Sequence, residues 1–225
     1  MFSVVIPTLG MSPFTLQILL RILKGADLVK EVFLINNSGT AIEVPSHPKF
    51  KQQILPENIF VNPSWNLGAS LAAPTAEWLV FLNDDILIPA NTFDCLAAAP
   101  LSRYSLIGVM AESIARLSRH DDYLQSSILL SDAISGRTWG FGIFMLVKRP
   151  DFIAIPNELK IWCGDDFLVD EMSLRGKRVG VMDLHVRTHM STTSDRPEFR
   201  QMREEDRVAY GRMRNCAEKE RSQAM

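Results

Sequence analysis

Strand-like and helix-like segments alternate along this chain, and that alternation most constrains its fold. The run "FSVVIP" is β-branched and apolar, as is typical of a buried strand, and Ser12 with Pro13 forms a favourable helix start. In "FTLQILLRILKG" the leucines share one helical face, and Gly25 ends the helix. The alternation continues with the strand "EVFLI", a short strand between Lys49 and Val61, a short helix from Leu67 to Ala73, the strand "EWLVFL" and a helix from Pro89 to Ala98. Such a pattern predicts an α/β fold with a mostly parallel central sheet and helices on both faces.

Length and composition predict one domain with a charged extension. The 225 residues, 47% of them hydrophobic, can bury a single sizeable core, which we place at residues 1–195. Residues 196–225 form a highly charged, helix-prone tail. A net charge of -2 argues against a general nucleic-acid or membrane-surface binder, and no segment has the roughly 20 apolar residues of a membrane span. The odd set of Cys95, Cys163 and Cys216 lacks metal-ligand spacing and suits reduced thiols, so we expect a cytoplasmic protein.

Polar residues stand where three of the expected strands end. Pro7 and Thr8 end the first, Asn36 and Asn37 end the second, and the run Asn83 to Asp85 ends the central one. In open α/β sheets, ligands bind at the carboxyl ends of the strands, so these residues are expected at one shared edge. Oxygen-rich side chains suit Mg²⁺ or Mn²⁺. The two asparagines also suit a simple turn, whereas two adjacent buried carboxylates require a compensating partner.

Several segments, in their order along the chain, resemble a known enzyme family. They are "VVIPT", "FLINNSG", "NLG", "EWLVFLNDD" and "GDDFLVDEMSLRGKRVGVMD". Together they are similar to GT-A glycosyltransferases of the inverting family 2 type, over the stretch from about Phe2 to His189. The resemblance implies a single GT-A domain that transfers a sugar from a nucleotide-sugar, with a UDP-sugar as the expected donor, to an acceptor hydroxyl. It also implies Mn²⁺ or Mg²⁺ as the cofactor.

The resemblance further implies roles for the residues on the donor side. Nucleotide contacts would come from the first two strand ends, namely Pro7, Thr8, Asn36 and Asn37, with Asn36 standing where the family more often has Asp. Asn66 and Gly68 match a segment that closes over the nucleotide and sugar. The DxD position is occupied by Asn83-Asp84-Asp85, in which Asp85 would bind the metal and Asn83 and Asp84 would contact the donor.

In the second half, "TWGFGIFMLVKR" is similar to the family segment beneath the donor sugar, which places Trp139 and Gly140 at the donor. Trp139 and Phe141 offer a flat apolar surface to a sugar ring, although ordinary packing explains an aromatic residue beside glycine equally well. His189 follows the expected strand "VGVMD" and matches a metal ligand of the family. His185 would share its strand face and is the alternative ligand.

The pair Asp165 and Asp166 opens a predicted helix in "GDDFLVDEMSLRG". An Asp at a helix start caps free backbone N–H groups and suits the positive end of the dipole, which explains one of the two acids. By the resemblance, Asp166 is the catalytic base, and Asp165 stands in place of the more usual Glu.

The charged tail leaves alternatives open. Its arginines and acids predict a solvated helix with i,i+4 ion pairs, laid against the domain or against a second subunit of a homo-oligomer. Phage-type enzymes that glycosylate hydroxymethylated DNA bases also resemble small GT-A proteins, so the tail could instead meet DNA phosphates. A nucleotidyltransferase of related fold would normally carry a basic, Gly-rich loop after the first strand, which "PTLGMSP" is not. A non-catalytic sugar-nucleotide-binding module would not need both acidic sites.

Overall fold

The computed structural model describes residues 1–116, 124–133, 138–189 and 197–224, with side chains described up to residue 215. Its α-helices are α1 (Pro13–Gly25), α2 (Val61–Leu71), α3 (Thr92–Ala98), α4 (Gly164–Leu174) and α5 (Arg200–Ala224). Its strands are β1 (Phe2–Thr8), β2 (Val29–Asn36), β3 (Phe50–Ile54), β4 (Trp78–Leu82), β5 (Ile86–Leu87), β6 (Leu106–Val109), β7 (Ile114–Arg116), β8 (Leu130–Asp132), β9 (Phe144–Lys148), β10 (Val179–Met182) and β11 (Val186–Thr188). The predicted α/β class is confirmed.

The main sheet has eight strands in the order β3-β2-β1-β4-β9-β6-β10-β8. Its first four strands are parallel, and β9 runs antiparallel between β4 and β6. Strand β10 is parallel to β6, and β8 is antiparallel to β10. A second sheet has three strands in the order β5-β11-β7, and all three follow β4 in the sequence. The parallel part of the main sheet therefore presents the carboxyl ends of β1, β2 and β4 at one edge.

Helices cover both faces of the main sheet, as the sequence predicted. Alternate residues of β1 point to opposite faces, so Val4 and Ile6 join one apolar cluster and Val5 joins the other. The first cluster includes α1 and α3, and the second includes α2 and α4. The predicted apolar face of α1 is fully buried through Leu16, Leu19, Leu20 and Leu23.

Some local predictions were wrong at helix starts. Helix α2 begins at Val61 and not at Leu67. Pro63 is tolerated within it because the first turn contains backbone N–H groups that have no intrahelical acceptor. Helix α3 begins at Thr92, three residues after Pro89. Ser12 occupies the N-cap of α1 but makes no side-chain capping hydrogen bond.

The charged tail forms α5, which follows a turn of 3₁₀-helix at Pro197–Phe199. The predicted boundary between residues 195 and 196 lies outside the described residues, as does the side chain of Cys216. Among the described residues, neither Cys95 nor Cys163 forms a disulfide. In the part of the chain that the structure describes, no helix combines the length and apolar character needed to cross a membrane.

Candidate functional site

A cavity of about 680 Å³ opens at the carboxyl edge of the main sheet. Six of the residues singled out in the sequence line it, namely Asn83, Asp85, Trp139, Gly140, Asp165 and Asp166. Residues that the sequence did not assign to a site complete its wall, among them Trp65, Trp162, Thr188, Arg203, Arg207 and Tyr210. Its volume lies within the range of small-molecule sites, about 300–1,000 Å³. The cavity thus joins residues that lie far apart in the chain, from Val61 to Tyr210.

The acidic run at the end of β4 lies between two buried strands. Strand β4 ends at Leu82 and β5 begins at Ile86, so only Asn83, Asp84 and Asp85 connect them. The backbone N–H of Asn83 donates to the carbonyl of Ile143 at 3.0 Å, which ties this turn to the segment before β9. Asp85 is 6% exposed and faces the cavity. The turn therefore directs a buried carboxylate into the site.

Asp84 points away from the cavity and toward β1. Its carboxylate accepts a hydrogen bond of 2.5 Å from the Thr8 hydroxyl, which in turn accepts from the N–H of Gly10 at 2.9 Å. Burial raises the pKa of Asp84 from its usual 3.8 to about 6; the Thr8 hydrogen bond lowers the pKa and the charge of Asp85 raises it. Thr8 is thus the partner of one of the two adjacent carboxylates.

Because its folded-state pKa is raised, Asp84 destabilises the fold once it ionises. The contribution of Asp84 to the free energy of unfolding is fully present below pH 3.8 and is lost as the pH rises through about 6. One unit of difference in pKa corresponds to about 1.4 kcal/mol, so we expect Asp84→Asn to stabilise the metal-free protein by about 1–3 kcal/mol at pH 8. The gain should vanish near pH 4. Urea unfolding at both pH values, with a chelator present, measures it; equal stability of variant and parent at pH 8 would contradict the expectation.

The asparagines at the end of β2 organise their own loop. Asn36 pairs in register with Thr8, accepts from the N–H of Ser38 at 2.9 Å and donates to the carbonyl of Thr40 at 2.6 Å. Asn37 donates to the Ser64 hydroxyl on α2 at 3.0 Å. Pro7 precedes Thr8 at the same edge, so the predicted nucleotide-binding residues do lie side by side. They lie outside the lining of the cavity, and their nucleotide contacts stay a prediction.

Asn66 and Gly68 lie within α2 and have structural roles there. The Asn66 side chain donates to the carbonyl of Ile155 at 2.7 Å and accepts from its N–H at 2.9 Å. A Cβ on Gly68 would overlap Val5, so glycine lets α2 pack directly on β1. Both residues lie outside the cavity lining, and their predicted closure over the donor stays untested.

The two acids of "GDD" lie in the first turn of α4, and the N-cap is Cys163, which adopts a left-handed backbone with φ of 61°. The expectation that an aspartate occupies the cap was therefore wrong. Gly164 permits a close approach to α2, since a Cβ there would overlap the Asn62 side chain. Asp165 and Asp166 both face the cavity from the positive end of the helix.

Two aromatic residues of the segment before β9 have different surroundings. Phe141 is fully buried and packs over Gly108, so packing explains this residue. Trp139 is 60% exposed at the cavity, with Gly140 beside it in a left-handed conformation, φ of 75°. An exposed indole at a cavity mouth is suited to stacking on a sugar ring.

The two histidines are exposed and lie outside the cavity lining. His185 precedes β11 and His189 follows it, while Thr188, at the end of β11, faces the cavity. Among the described residues, no three His, Cys, Asp or Glu side chains are close enough to form a metal site on their own. The choice between His189 and His185 as a metal ligand stays a prediction.

Helix α5 supplies residues that the sequence did not place at the cavity, although its arginines were considered as contacts to DNA phosphates. Arg203, Arg207 and Tyr210 share one helical face, as their spacing of four and three residues requires, and that face meets the cavity. The Arg203 guanidinium stacks over the Trp162 ring at 5.2 Å. Burial and the Asp170 carboxylate raise the pKa of Tyr210, and the charge of Asp166 adds to this shift. The helical spacing was visible in the sequence, but the surface that this face meets was not.

Trp65 contributes another feature without a sequence signal. Its indole N–H is buried in the cavity wall and has no hydrogen-bond partner among the described residues. An unsatisfied buried donor costs about 1–3 kcal/mol. A tryptophan at this position in an amphipathic helix otherwise resembles an ordinary core residue.

Comparison with known proteins places the fold. No family model matches the sequence, and no curated protein matches it. TarS 1-349 from S. aureus superposes with a TM-score of 0.59 and 17% identity, covering 83% of this chain and 60% of TarS 1-349. The mannosyltransferase PcManGT from Pyrobaculum calidifontis, solved with GDP-Man and Mn²⁺, gives a TM-score of 0.51 and 16% identity, covering 80% of this chain and 56% of PcManGT.

This chain therefore spans about three fifths of the length of these structures. The similarity to these structures concerns the arrangement of helices and strands. The predicted fold is confirmed: the protein has the GT-A glycosyltransferase fold.

Proposed function

We propose that this protein is a metal-dependent, inverting glycosyltransferase that moves a sugar from a nucleotide-sugar donor to an acceptor hydroxyl. The observation that carries the proposal is the placement of Asp85 and Asp166 in one cavity at the carboxyl edge of a GT-A sheet. One carboxylate follows β4 and the other lies in the first turn of α4, so they reach the site from different elements. An enzyme of this type needs acids at two positions, one near the leaving group and one near the attacking hydroxyl.

The residues present fit a divalent cation. Mg²⁺ and similar ions are commonly held by one or two carboxylates together with substrate phosphates. Asp85 is such a carboxylate, and Asn83 adds an amide oxygen in the same wall. Because the described residues contain no larger cluster of ligands, most of the coordination would come from the donor and water. A cation bound at Asp85 would stabilise the negative charge on the departing nucleoside diphosphate.

The chain's own residues account for the other half of the reaction. The acceptor oxygen forms a bond to the anomeric carbon, and the bond from that carbon to the diphosphate oxygen breaks. Asp166 takes the proton of the acceptor hydroxyl, which contributes about 10²–10⁴-fold to such a reaction. A single displacement of this kind inverts the anomeric centre. Trp139, at the cavity mouth, supplies an apolar surface for a sugar ring.

For the nucleotide, we propose the edge formed by Pro7, Thr8, Asn36 and Asn37. Thr8 and Asn36 are paired in register, and the N–H of Asn37 donates to the carbonyl of Thr8 at 2.8 Å. The side chains of this edge thus lie close enough to contact one base and ribose. A UDP-sugar is the donor that we propose, and a GDP-sugar is the alternative to compare, since PcManGT was solved with GDP-Man.

A donor screen tests the proposal. Thermal unfolding is followed with UDP-, GDP- and TDP-sugars, each with and without Mn²⁺. We expect one nucleotide class to raise the melting temperature only when Mn²⁺ is present, and that donor then to release its nucleoside diphosphate slowly in water. A protein that none of these donors stabilises, and that hydrolyses none of them, would contradict the proposed function.

The cavity also presents Arg203 and Arg207 from α5, and we assign these two residues to the phosphates of the donor. They lie in the wall of the same cavity as three aspartates, where an incoming diphosphate would add further negative charge. Two guanidinium groups offset that charge and donate forked hydrogen bonds to phosphate oxygens. Their position at the cavity favours this assignment over contact with a DNA duplex.

The double variant Arg203→Ala with Arg207→Ala should weaken binding of UDP in the presence of Mn²⁺ by about 10–100-fold, since hydrogen bonds to charged groups contribute about 1.5–3 kcal/mol. Isothermal titration calorimetry measures the affinity. The matched control is Arg200→Ala with Arg212→Ala, which changes two exposed arginines of the same helix away from the cavity. Unchanged UDP affinity together with loss of duplex DNA binding at low salt would instead assign the pair to a DNA acceptor.

A further inference from the structure

A buried carboxylate on α5 holds the chain just before α4. Asp206 is 0% exposed, although about half of the residues in its helix are charged. Its carboxylate accepts hydrogen bonds from the N–H groups of Lys160 at 2.9 Å, Ile161 at 2.8 Å and Trp162 at 2.8 Å. Three consecutive backbone donors directed at one anion form a nest, and charge-assisted bonds of this type are stronger than neutral ones.

Helix α2 holds the same segment from its other side. Asn62 is also 0% exposed; its backbone N–H donates to the carbonyl of Lys160 at 2.9 Å. Its side-chain amide donates to the carbonyls of Leu159 and Trp162, both at 3.2 Å. Between them, Asp206 and Asn62 therefore bind most of the backbone polar groups from residue 159 to residue 162.

The segment leads directly into the acids of the cavity. Trp162 is followed by the left-handed Cys163 and then by Gly164, the first residue of α4, with Asp165 and Asp166 next in the chain. After these acids, α5 contacts α4 itself: the Tyr210 hydroxyl donates to the Asp170 carboxylate at 2.6 Å. Asp206 and Tyr210 are four residues apart and share one face of α5. The residues that they contact precede and follow Asp165 and Asp166 in the chain.

From this arrangement we infer that α5 is part of the catalytic apparatus, with Asp206 as a positioning residue that sets the place of Asp166 in the cavity. The inference rests on the proposed function for the role of Asp166, whereas the hold of Asp206 on the segment can be tested independently. Misplacement of a catalytic group by about 1 Å can cost about 10²-fold in rate. Loss of the hold of Asp206 on this segment is therefore expected to lower the rate of the chemical step.

The test is Asp206→Asn, because the amide retains the size of the carboxylate but turns one acceptor into a donor that faces backbone N–H groups. We expect the amides of Lys160, Ile161 and Trp162 to exchange hydrogen at least about tenfold faster. Release of nucleoside diphosphate from the donor should fall by about 10²-fold in kcat with little change in KM. Glu205→Gln, the exposed neighbour on α5, is the matched control and should change neither quantity.

The outcomes test separately whether Asp206 holds the segment and whether that hold affects catalysis. Exchange that stays slow in the Asp206→Asn protein overturns the hold of Asp206 on the segment. Faster exchange with unchanged kcat overturns its positioning role. If Asp206→Asn does not fold, Tyr210→Phe removes only the second contact and should lower kcat by about two- to tenfold, with no change in KM; an unchanged kcat there counts against the inference. A parent protein that turns over no donor refutes the proposed function, and the exchange measurement then decides the hold of Asp206 by itself.

Discussion

Asp166→Asn is expected to lower the rate of sugar transfer, or of donor hydrolysis, by about 10²–10⁴-fold. The amide keeps the size of the carboxylate and its place in the first turn of α4, but it cannot accept the proton of the attacking hydroxyl. Donor affinity should stay nearly constant, because proton transfer is an interaction of the transition state. The rate is measured as nucleoside diphosphate released from the donor that stabilises the protein, and the affinity by calorimetry.

Asp165→Asn is the matched comparison, since both acids line the cavity from adjacent positions. Its cost should be smaller, because we assign Asp165 an electrostatic supporting role. If Asp165→Asn is the inactive variant and Asp166→Asn is tolerated, the base is the other residue of the pair. Full activity in both variants would show that this helix does not supply the base.

Asp85→Ala is expected to abolish the Mn²⁺ dependence of donor binding while the fold remains intact. Asp85 is the buried carboxylate that faces the cavity at the end of β4, and few other protein groups there can hold a divalent ion. We expect UDP affinity in the presence of Mn²⁺ to fall at least about 10²-fold, to the value that the parent protein shows with a chelator. Calorimetric titrations with and without Mn²⁺ measure both values.

Asp94→Ala, which changes an exposed acid of α3 away from the cavity, is the control for a general loss of negative charge. It should leave the Mn²⁺ dependence unchanged. If Asp85→Ala binds UDP and Mn²⁺ as tightly as the parent protein does, the metal lies elsewhere, and the histidines after β10 become the first residues to examine.

The order of the elements could be predicted from the sequence because it depends on local patterns. Apolar runs such as those of β1 and β4 indicate buried strands, and the leucine spacing of α1 indicates one buried helical face. Parallel strands end at a shared edge of the sheet, so Asp85 and Thr8 could be assigned to one region from the sequence alone. The different orientations of the two adjacent acids could not be predicted from the sequence: Asp84 turns toward Thr8, and Asp85 turns toward the cavity.

The start of α2 shows why the ends of a helix were harder to predict from the sequence than the presence of the helix. A proline in the first helical turn loses no hydrogen bond, so Pro63 neither prevents the helix nor marks its first residue. Tertiary contacts decide instead: Asn62 is held by the backbone before α4, which lies far away in the sequence.

For this protein, the sequence by itself determined the fold class, the edge of the sheet that carries the site and the acids that belong there, because strand and helix periodicity and polar strand ends are local properties. Only the tertiary structure decided the position of α5. Helical spacing shows that Arg203, Asp206 and Tyr210 share a face, but not which surface that face meets. The meeting surface depends on the path of the whole chain, which buries Asp206 against three backbone N–H groups and brings two arginines to the cavity.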